Sequence, residues 1–183
     1  SAASDVYKRH ALHSCGSGVS GDVLKLVLNE TTQINVEVRK AYGIPEVTTE
    51  RNPKCLFISY SGNTEETVEA VYDAIKYKLD WSVISSGGQL LELATQHNRP
   101  FVKVPSGLQP RAAFGLMTKA VMHYVSADVD GKYLEMCNQA GEYLNEALSN
   151  QSENELLTQA LNISKEISNK TSVIYGGTPL TYL

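Results

Sequence analysis

The fold of this 183-residue chain is decided by the stretch Phe57-Ile58-Ser59-Tyr60-Ser61-Gly62-Asn63-Thr64-Glu65-Glu66-Thr67. Residues 55–58 are largely apolar and predict a short buried strand, and the polar residues after them predict a loop. Residues 64–79 then carry an apolar face at helical spacing, made of Val68, Val71, Tyr72, Ile75 and Leu79. The stretch is therefore predicted to join a strand to an amphipathic helix.

Three hydroxyl side chains fall at this junction. Ser59, Ser61 and Thr64 are expected to cluster at the helix N-terminus, together with the backbone N–H groups around Gly62. The first N–H groups of a helix have no intrahelical acceptor and the helix dipole is positive there, so such a place binds anions, above all phosphate. Hydroxyl groups add uncharged donors that suit the oxygens of a phosphate ester. The junction is thus a candidate phosphate site.

A purely structural interpretation of the same residues stays open. Asn63 followed by Glu66 fits a helix capping box, and a serine or threonine at a strand-to-helix turn needs no ligand. Capping requires one such side chain, however, and this loop holds more than one. Glu65 and Glu66 oppose a nearby anion, but they suit the helix dipole if they point into solvent.

Strands and helices alternate through the first 126 residues. Strands are predicted at 11–14, 34–38, 55–59, 81–85 and 101–104, and helices at 19–28, 64–79, 89–96 and 113–126. This alternation favours right-handed βαβ crossovers. It predicts an α/β fold with a five-stranded parallel sheet and helices on both faces, in flavodoxin-like layering. Ligands of such sheets bind beyond the carboxyl ends of the strands, where Ser17, Ser59 and Ser61 are expected.

The pattern changes after residue 130. Residues 132–148 and 153–168 predict two amphipathic helices, and Ser152 with Glu155 predicts a capping box at the start of the second. One stripe of the first helix is formed by Leu134, Cys137, Ala140, Leu144 and Leu148. Residues 171–175 predict a strand, followed by Gly176-Gly177 and the last residue, Leu183.

These features divide the chain into three expected parts. They are a first α/β domain at 1–130, a helical connector at 131–170 and the incomplete start of a second α/β half at 171–183. The chain is accordingly expected to be a fragment. The alternative is that residues 171–175 form a final edge strand with a short tail.

Composition limits the classes of function. The hydrophobic share of 42% and the charged share of 20% are ordinary for a globular protein, and the net charge of −4 argues against a nucleic-acid or anionic-membrane partner. The sequence has no 18-residue apolar run and no signal-peptide character at its start, so we expect a soluble protein. Cys15, Cys55 and Cys137 are far apart and indicate reduced thiols in the cytoplasm.

The histidines and one further loop are given structural interpretations. His10, His13, His97 and His123 lack metal-ligand spacing, so no metal site is expected. His97 is expected in a loop and His123 partly buried on a helix. The segment Ser85-Ser86-Gly87-Gly88 is expected to be a simple turn after the fourth strand, with lining of a ligand cleft as the alternative.

Three stretches of the sequence resemble the sugar isomerase (SIS) family. The hydroxyl-rich stretch from Ser59 to Thr67 resembles its phosphosugar-binding motif. Cys15-Gly16-Ser17-Gly18-Val19-Ser20-Gly21-Asp22 resembles the family's Gly-Gly-Ser-x-x-x-Gly-Asp loop, with Cys15 in place of a glycine. Pro110-Arg111-Ala112-Ala113 resembles its Pro-Arg-Ala-Ala segment. The stretches occur in the family's order over about residues 10–125, and the chain looks like the bifunctional phosphoglucose/phosphomannose isomerase group.

The resemblance implies an aldose–ketose isomerase. Such an enzyme interconverts glucose 6-phosphate, and mannose 6-phosphate, with fructose 6-phosphate through an enediolate, a step of glycolysis and gluconeogenesis. The substrate-binding residues implied are Gly16, Ser17, Ser59, Ser61, Gly62 and Thr64, and Arg111 is the implied catalytic residue that stabilises the enediolate. No cofactor is implied, because the reaction is an internal proton transfer. A cytoplasmic homodimer is expected.

The resemblance also leaves a gap in the catalytic apparatus. The resembled enzymes take their base glutamate and their ring-opening histidine from a second half of the fold, so no base is assigned to this chain. The alternative function is a non-catalytic phosphosugar sensor with the same fold. A sensor keeps the phosphate-binding hydroxyls but needs neither Arg111 nor a base.

Overall fold

A computed structural model describes residues 9–14, 18–31, 35–50, 52–126, 131–150, 152–171 and 173 of the chain. The chain divides into two compact units, the first running to Val125 and the second beginning at Ser126. The hydroxyl-rich loop and Arg111 both belong to the first unit.

The first unit is built on a parallel sheet. Its strands are β1 (Arg9–Ser14), β2 (Asn35–Arg39), β3 (Lys54–Ile58), β4 (Asp80–Ser85) and β5 (Phe101–Lys103). They lie in the order β2-β1-β3-β4-β5, and every neighbouring pair is parallel. The strand order reverses between β1 and β3, and the loops that follow such a pair border a crevice at the carboxyl edge of the sheet. The hydroxyl-rich loop follows β3 and therefore borders this crevice.

Helices cover the sheet. They are α1 (Gly18–Thr31), α2 (Glu46–Thr49), α3 (Glu65–Lys76), α4 (Gly88–Gln96) and α5 (Phe114–Val125), and a short 3₁₀ turn (Pro110–Ala113) precedes α5. Helices α1 and α5 contact each other and the strands β1, β2 and β4. Helices α3 and α4 contact each other and lie against β1, β3, β4 and β5.

Successive residues of each strand point to opposite faces of the sheet and so contact different layers of helices. Phe57 and Trp81 pack with residues of α3 and α4 in one core cluster, with their rings edge to face at 6.2 Å. Because successive strand residues point to opposite faces, Ile58 and Ser82 lie on the other side of the sheet. There the phenol of Tyr124 in α5 donates to the Ser82 hydroxyl at 3.0 Å. The core thus fills both faces, as expected for parallel strands.

The predicted fold class needs correction in its details. The sheet has a three-stranded parallel centre, β1, β3 and β4, and β2 and β5 are its edge strands. Strand β5 pairs over only three residues because prolines at 100 and 105 flank it, and proline cannot donate to the ladder. The described chain holds six helices of nine residues or longer, four in the first unit and two in the second.

The predicted start of a second α/β half lies almost entirely outside the described residues. Thr171 and Val173 lie in no strand, and the remaining residues of the predicted strand and glycine loop lie outside the described residues.

The second unit contains the two predicted helices, α6 (Lys132–Ser149) and α7 (Glu153–Ile167). The capping box of α7 is confirmed: the Ser152 hydroxyl accepts from the Glu155 N–H at 3.2 Å, and the Glu155 carboxylate accepts from the Ser152 N–H at 2.8 Å. The Ser152 N–H and the Ser152 hydroxyl both donate to the Glu155 carboxylate at 2.8 Å and lower the pKa of Glu155. On the predicted stripe of α6, Leu144 and Leu148 are exposed. No helix of the described residues is both long and apolar enough to cross a membrane.

Candidate functional site

The loop after β3 brings its three hydroxyl groups into contact. The Ser59 hydroxyl lies 2.7 Å from that of Thr64 and 3.5 Å from that of Ser61. Ser59 is buried, Thr64 is half-buried and Ser61 is exposed, so the cluster extends from the interior to the surface. Hydroxyl hydrogens rotate to suit their partners, and the cluster can therefore donate toward an anion without carrying charge.

The main chain supports this hydroxyl cluster (Ser59, Ser61, Thr64). The Gly62 N–H donates to the Ser59 hydroxyl at 3.2 Å, and the Asn63 N–H donates to the Ser61 hydroxyl at 3.3 Å. The cluster lies where α3 begins, with Thr64 as the residue before its first turn. The site therefore combines uncharged donors with the positive end of a helix dipole.

The capping box considered in the structural interpretation of the loop is wrong. Thr64 precedes α3, and no side chain caps that helix by a hydrogen bond. The Asn63 side chain instead accepts from the Gln89 N–H at 2.9 Å, at the start of α4. A capping box between Asn63 and Glu66 does not form because Asn63 is bonded to the neighbouring helix. The hydroxyl cluster is thus not explained by capping.

Gly62 allows two loops to approach closely. Its φ of +72° favours glycine, and a Cβ added there would lie 1.8 Å from the Gly87 carbonyl oxygen. The Gly62 carbonyl also accepts from the Leu90 N–H at 3.0 Å. The loop after β3 is therefore locked to the loop after β4.

The serines after β4 bond mainly to the main chain of these two loops. The Ser85 hydroxyl donates to the Gly87 carbonyl at 2.8 Å. The Ser86 hydroxyl donates to the Tyr60 carbonyl at 2.6 Å, and the Ser86 N–H donates to the same oxygen at 3.0 Å. These bonds agree with the expected structural turn.

Tyr60 is a residue of this site that the sequence reasoning missed. Its phenol donates to the Pro105 carbonyl at 3.1 Å and accepts from the Leu108 N–H at 2.9 Å. The side chain is only 6% exposed. A buried tyrosine usually bonds through its hydroxyl, and this rule was the available signal. The partners themselves lie too far along the sequence for a local pattern to reveal them.

Arg111 lies in the 3₁₀ turn Pro110–Ala113, after the loop that follows β5. Its side chain is exposed, and among the described residues it forms no ion pair. Neighbouring Ala113 is fully buried and anchors the turn. The turn follows a strand end, as does the hydroxyl loop, so both belong to the carboxyl side of the sheet. Gly16 and Ser17 lie outside the described residues.

Acidic residues surround the first turn of α3 on its exposed side. The Glu65 carboxylate accepts from the Tyr42 phenol at 3.4 Å. Glu66, followed by burial and then Glu65 and Glu69, raises the pKa of Tyr42. These carboxylates interact favourably with the positive end of the helix dipole. Glu65 is exposed, as the sequence interpretation required.

The two histidines whose side chains the structure describes, His97 and His123, lie apart from this loop. His97 follows α4 in a turn, as predicted, and its ring lies 6.2 Å from that of Trp81. The prediction that His123 is partly buried is wrong, because it lies on the exposed face of α5. No group of three or more candidate metal ligands occurs among the described residues.

Comparisons with known proteins agree with this fold. No family model matches the chain. It is 34% identical over 166 residues to the bifunctional phosphoglucose/phosphomannose isomerase of Thermoplasma acidophilum, a match that covers 90% of this chain and 48% of that protein. It is 33% identical over 173 residues to the Aquifex aeolicus protein of the same name, covering 92% and 48%.

A solved structure shows the fold. A candidate phosphosugar isomerase from Clostridium difficile superposes with a TM-score of 0.59 and 18% identity, covering 87% of this chain and 48% of that one. The predicted resemblance is therefore confirmed: the chain is related to the phosphosugar isomerases of SIS fold. Among these, it is related in sequence to the bifunctional phosphoglucose/phosphomannose isomerases. The chain spans about half the length of the curated relatives it matches.

Proposed function

We propose that this chain carries the phosphosugar-binding part of an aldose–ketose isomerase. The observation that carries the proposal is the contact of the Ser59, Ser61 and Thr64 hydroxyls at the start of α3. It occurs in a chain whose relatives are named phosphoglucose/phosphomannose isomerases. The proposed substrates are glucose 6-phosphate and mannose 6-phosphate, and the product is fructose 6-phosphate.

The phosphate group of the substrate binds to the hydroxyl cluster in this proposal. Exposed Ser61 approaches the phosphate first, and buried Ser59 fixes the positions of Thr64 and of the Gly62 N–H. The positive end of the α3 dipole adds to the attraction without a charged side chain. Gly16 and Ser17 are proposed to approach the sugar.

Arg111 is proposed to stabilise the negative charge of the enediolate. A proton is removed from C1 or C2 and returned to the other carbon. In the enediolate that exists between these two steps, an oxygen carries negative charge. A guanidinium suits this role because it stays charged and donates several N–H bonds. Arg111 is exposed and forms no ion pair among the described residues, so its charge is available to a ligand.

The domain organisation, the location and the oligomeric state of the protein are proposed on the same basis. Residues 1–130 form the phosphosugar-binding domain, 131–170 a connector, and 171–183 the start of a second half. The protein acts in the cytoplasm as a homodimer, and internal proton transfer requires no redox cofactor. No catalytic base is assigned to this chain.

A coupled isomerase assay tests the proposal on the complete protein that carries these residues. The variant Arg111→Ala is expected to lower kcat at least about 100-fold, because it removes a donor aimed at developing charge. Glucose 6-phosphate binding should stay within about threefold, because the phosphate hydroxyls are kept. The matched control Lys119→Ala removes an exposed cation from α5 and should retain full activity.

Two results would contradict the enzyme proposal. Equal activity of the Arg111→Ala and Lys119→Ala variants would exclude the role of Arg111. Binding of glucose 6-phosphate without turnover by the complete protein would favour the phosphosugar sensor instead.

A further inference from the structure

We propose that Tyr60 is a positioning residue that fixes the Arg111 segment (105–113) relative to the phosphate loop (59–64). The catalytic consequence of this arrangement rests on the proposed function, whereas the structural tether does not. Tyr60 lies between the two serines that are proposed to bind phosphate, Ser59 and Ser61. Tyr60 can therefore couple binding of the phosphate group to the position of Arg111.

The Tyr60 side chain ties down the Arg111 segment at two points. A phenol offers one donor and can also accept, and Tyr60 uses both capacities on this segment. It donates to the Pro105 carbonyl at 3.1 Å and accepts from the Leu108 N–H at 2.9 Å. Two hydrogen bonds to points three residues apart fix the direction of the segment as well as its distance.

The Arg111 segment is exposed between its two ends. Val104 and Ala113 are buried, whereas residues 105–112 between them are exposed. An exposed loop with few packed side chains opens locally at little free-energy cost unless hydrogen bonds hold it. The bonds of Tyr60 lie within this exposed stretch, and the second of them is three residues before Arg111.

Tyr60 is itself fixed from the other side. Its carbonyl accepts from the Ser86 N–H at 3.0 Å and from the Ser86 hydroxyl at 2.6 Å. The backbone of Tyr60 is thus bonded to the loop after β4, and its phenol is bonded to the segment after β5. The residue connects the loops that follow three neighbouring strands, so a displacement of Tyr60 would displace Arg111.

The variant Tyr60→Phe tests this proposal because it removes the hydroxyl and keeps the ring. The Leu108 N–H loses its acceptor, and its hydrogen exchange should become about tenfold faster or more. In the complete protein, kcat should fall about tenfold or more while KM changes less than about threefold, since misplacement of a catalytic group affects the reacting centre. The control Tyr124→Phe removes another tyrosine hydroxyl bond, that to Ser82, and should leave both readouts unchanged.

A double variant shows whether Tyr60 acts through Arg111. In an Arg111→Ala background, Tyr60→Phe should lower kcat no further, because the group that it positions is absent. Unchanged exchange at Leu108 would overturn the tether, and faster exchange with unchanged kcat would overturn the positioning role. If the wild-type protein neither binds nor isomerises hexose 6-phosphates, the proposed function and the positioning role both fail. Exchange at Leu108 then decides the tether alone.

Discussion

At the scale of single residues, Cys55 and Cys137 show how surroundings change the chemistry of the same side chain. Cys55 lies in β3 and is 1% exposed, whereas Cys137 lies in α6 and is half-buried; neither is in a disulfide. Burial, with a smaller effect of the Asp80 carboxylate, raises the pKa of Cys55 to about 12. Because the thiolate is the reactive form, Cys55 should be inert in the folded protein.

Labelling with a thiol reagent at pH 8, followed by mass spectrometry of each cysteine peptide, tests this expectation. Cys137 should be labelled in the native protein and Cys55 only after unfolding. An exposed thiol has a pKa of about 8.5. The contribution of Cys55 to the free energy of unfolding is therefore complete below that pH and declines as the pH rises toward about 12. A Cys55→Val control should lack this part of the decline, and rapid native labelling of Cys55 would contradict the prediction.

Sequence reasoning reached some of the site residues and missed others for a physical reason. Ser59, Ser61 and Thr64 are close in the sequence, so a strand followed directly by a helix was enough to predict their proximity. The partners of Tyr60 lie 45 and 48 residues away. Their position depends on how β3, β4 and β5 assemble, which no local pattern encodes. The exposure of His123 was missed because an apolar helix sequence does not fix which side is covered.

At the scale of elements, the site depends on two interlocked strand-to-helix loops. Gly62 and Gly88 both have positive φ, and a Cβ on Gly88 would lie 2.5 Å from the Ser61 carbonyl oxygen. Each glycine therefore permits a backbone approach that any larger residue would prevent. The loops after β3 and β4 hold each other, and the hydroxyl cluster depends on both.

The variant Gly62→Ala should lower the free energy of unfolding by more than about 2 kcal/mol, since it adds a strained φ to a contact with the Gly87 backbone. The control Gly115→Ala places the new methyl group in open space within α5. It should raise the free energy of unfolding by up to about 1 kcal/mol, because alanine favours helices. Denaturant unfolding followed by circular dichroism measures both changes. Equal stability of the two variants would contradict the interlocked loops.

Sequence periodicity predicted the positions of the helices and strands better than it predicted their ends. The strong helical pattern of residues 64–79 gave α3, although the helix itself is Glu65–Lys76. Ser152 and Glu155 gave the correct cap of α7 because both partners are local. The equivalent prediction for α3 was wrong because a distant residue, Gln89, takes the Asn63 side chain. The prolines at 100 and 105 limit β5, which was predicted as a short strand at 101–104 and is Phe101–Lys103.

At the scale of the molecule, the alternating pattern predicted the α/β class, because parallel strands need helical crossovers. The pairing of Ser14 with Ile58 and of Ile58 with Ile84 brings the carboxyl ends of β1, β3 and β4 to one edge of the sheet. The expected strand at 171–175 stays a prediction, because most of its residues lie outside the described part of the chain.

The measurement that tests the central claim most directly is calorimetric titration of the complete protein with glucose 6-phosphate and, separately, with glucose. The account predicts binding of glucose 6-phosphate and much weaker binding of glucose, because the hydroxyl cluster binds the phosphate group. Ser59→Ala should weaken glucose 6-phosphate binding at least about tenfold, because it removes the hydroxyl that fixes the positions of Thr64 and of the Gly62 N–H. The control Ser82→Ala removes a buried serine hydroxyl from the neighbouring strand and should leave the affinity unchanged. Equal binding of the two sugars, or unchanged affinity in Ser59→Ala, would contradict the account.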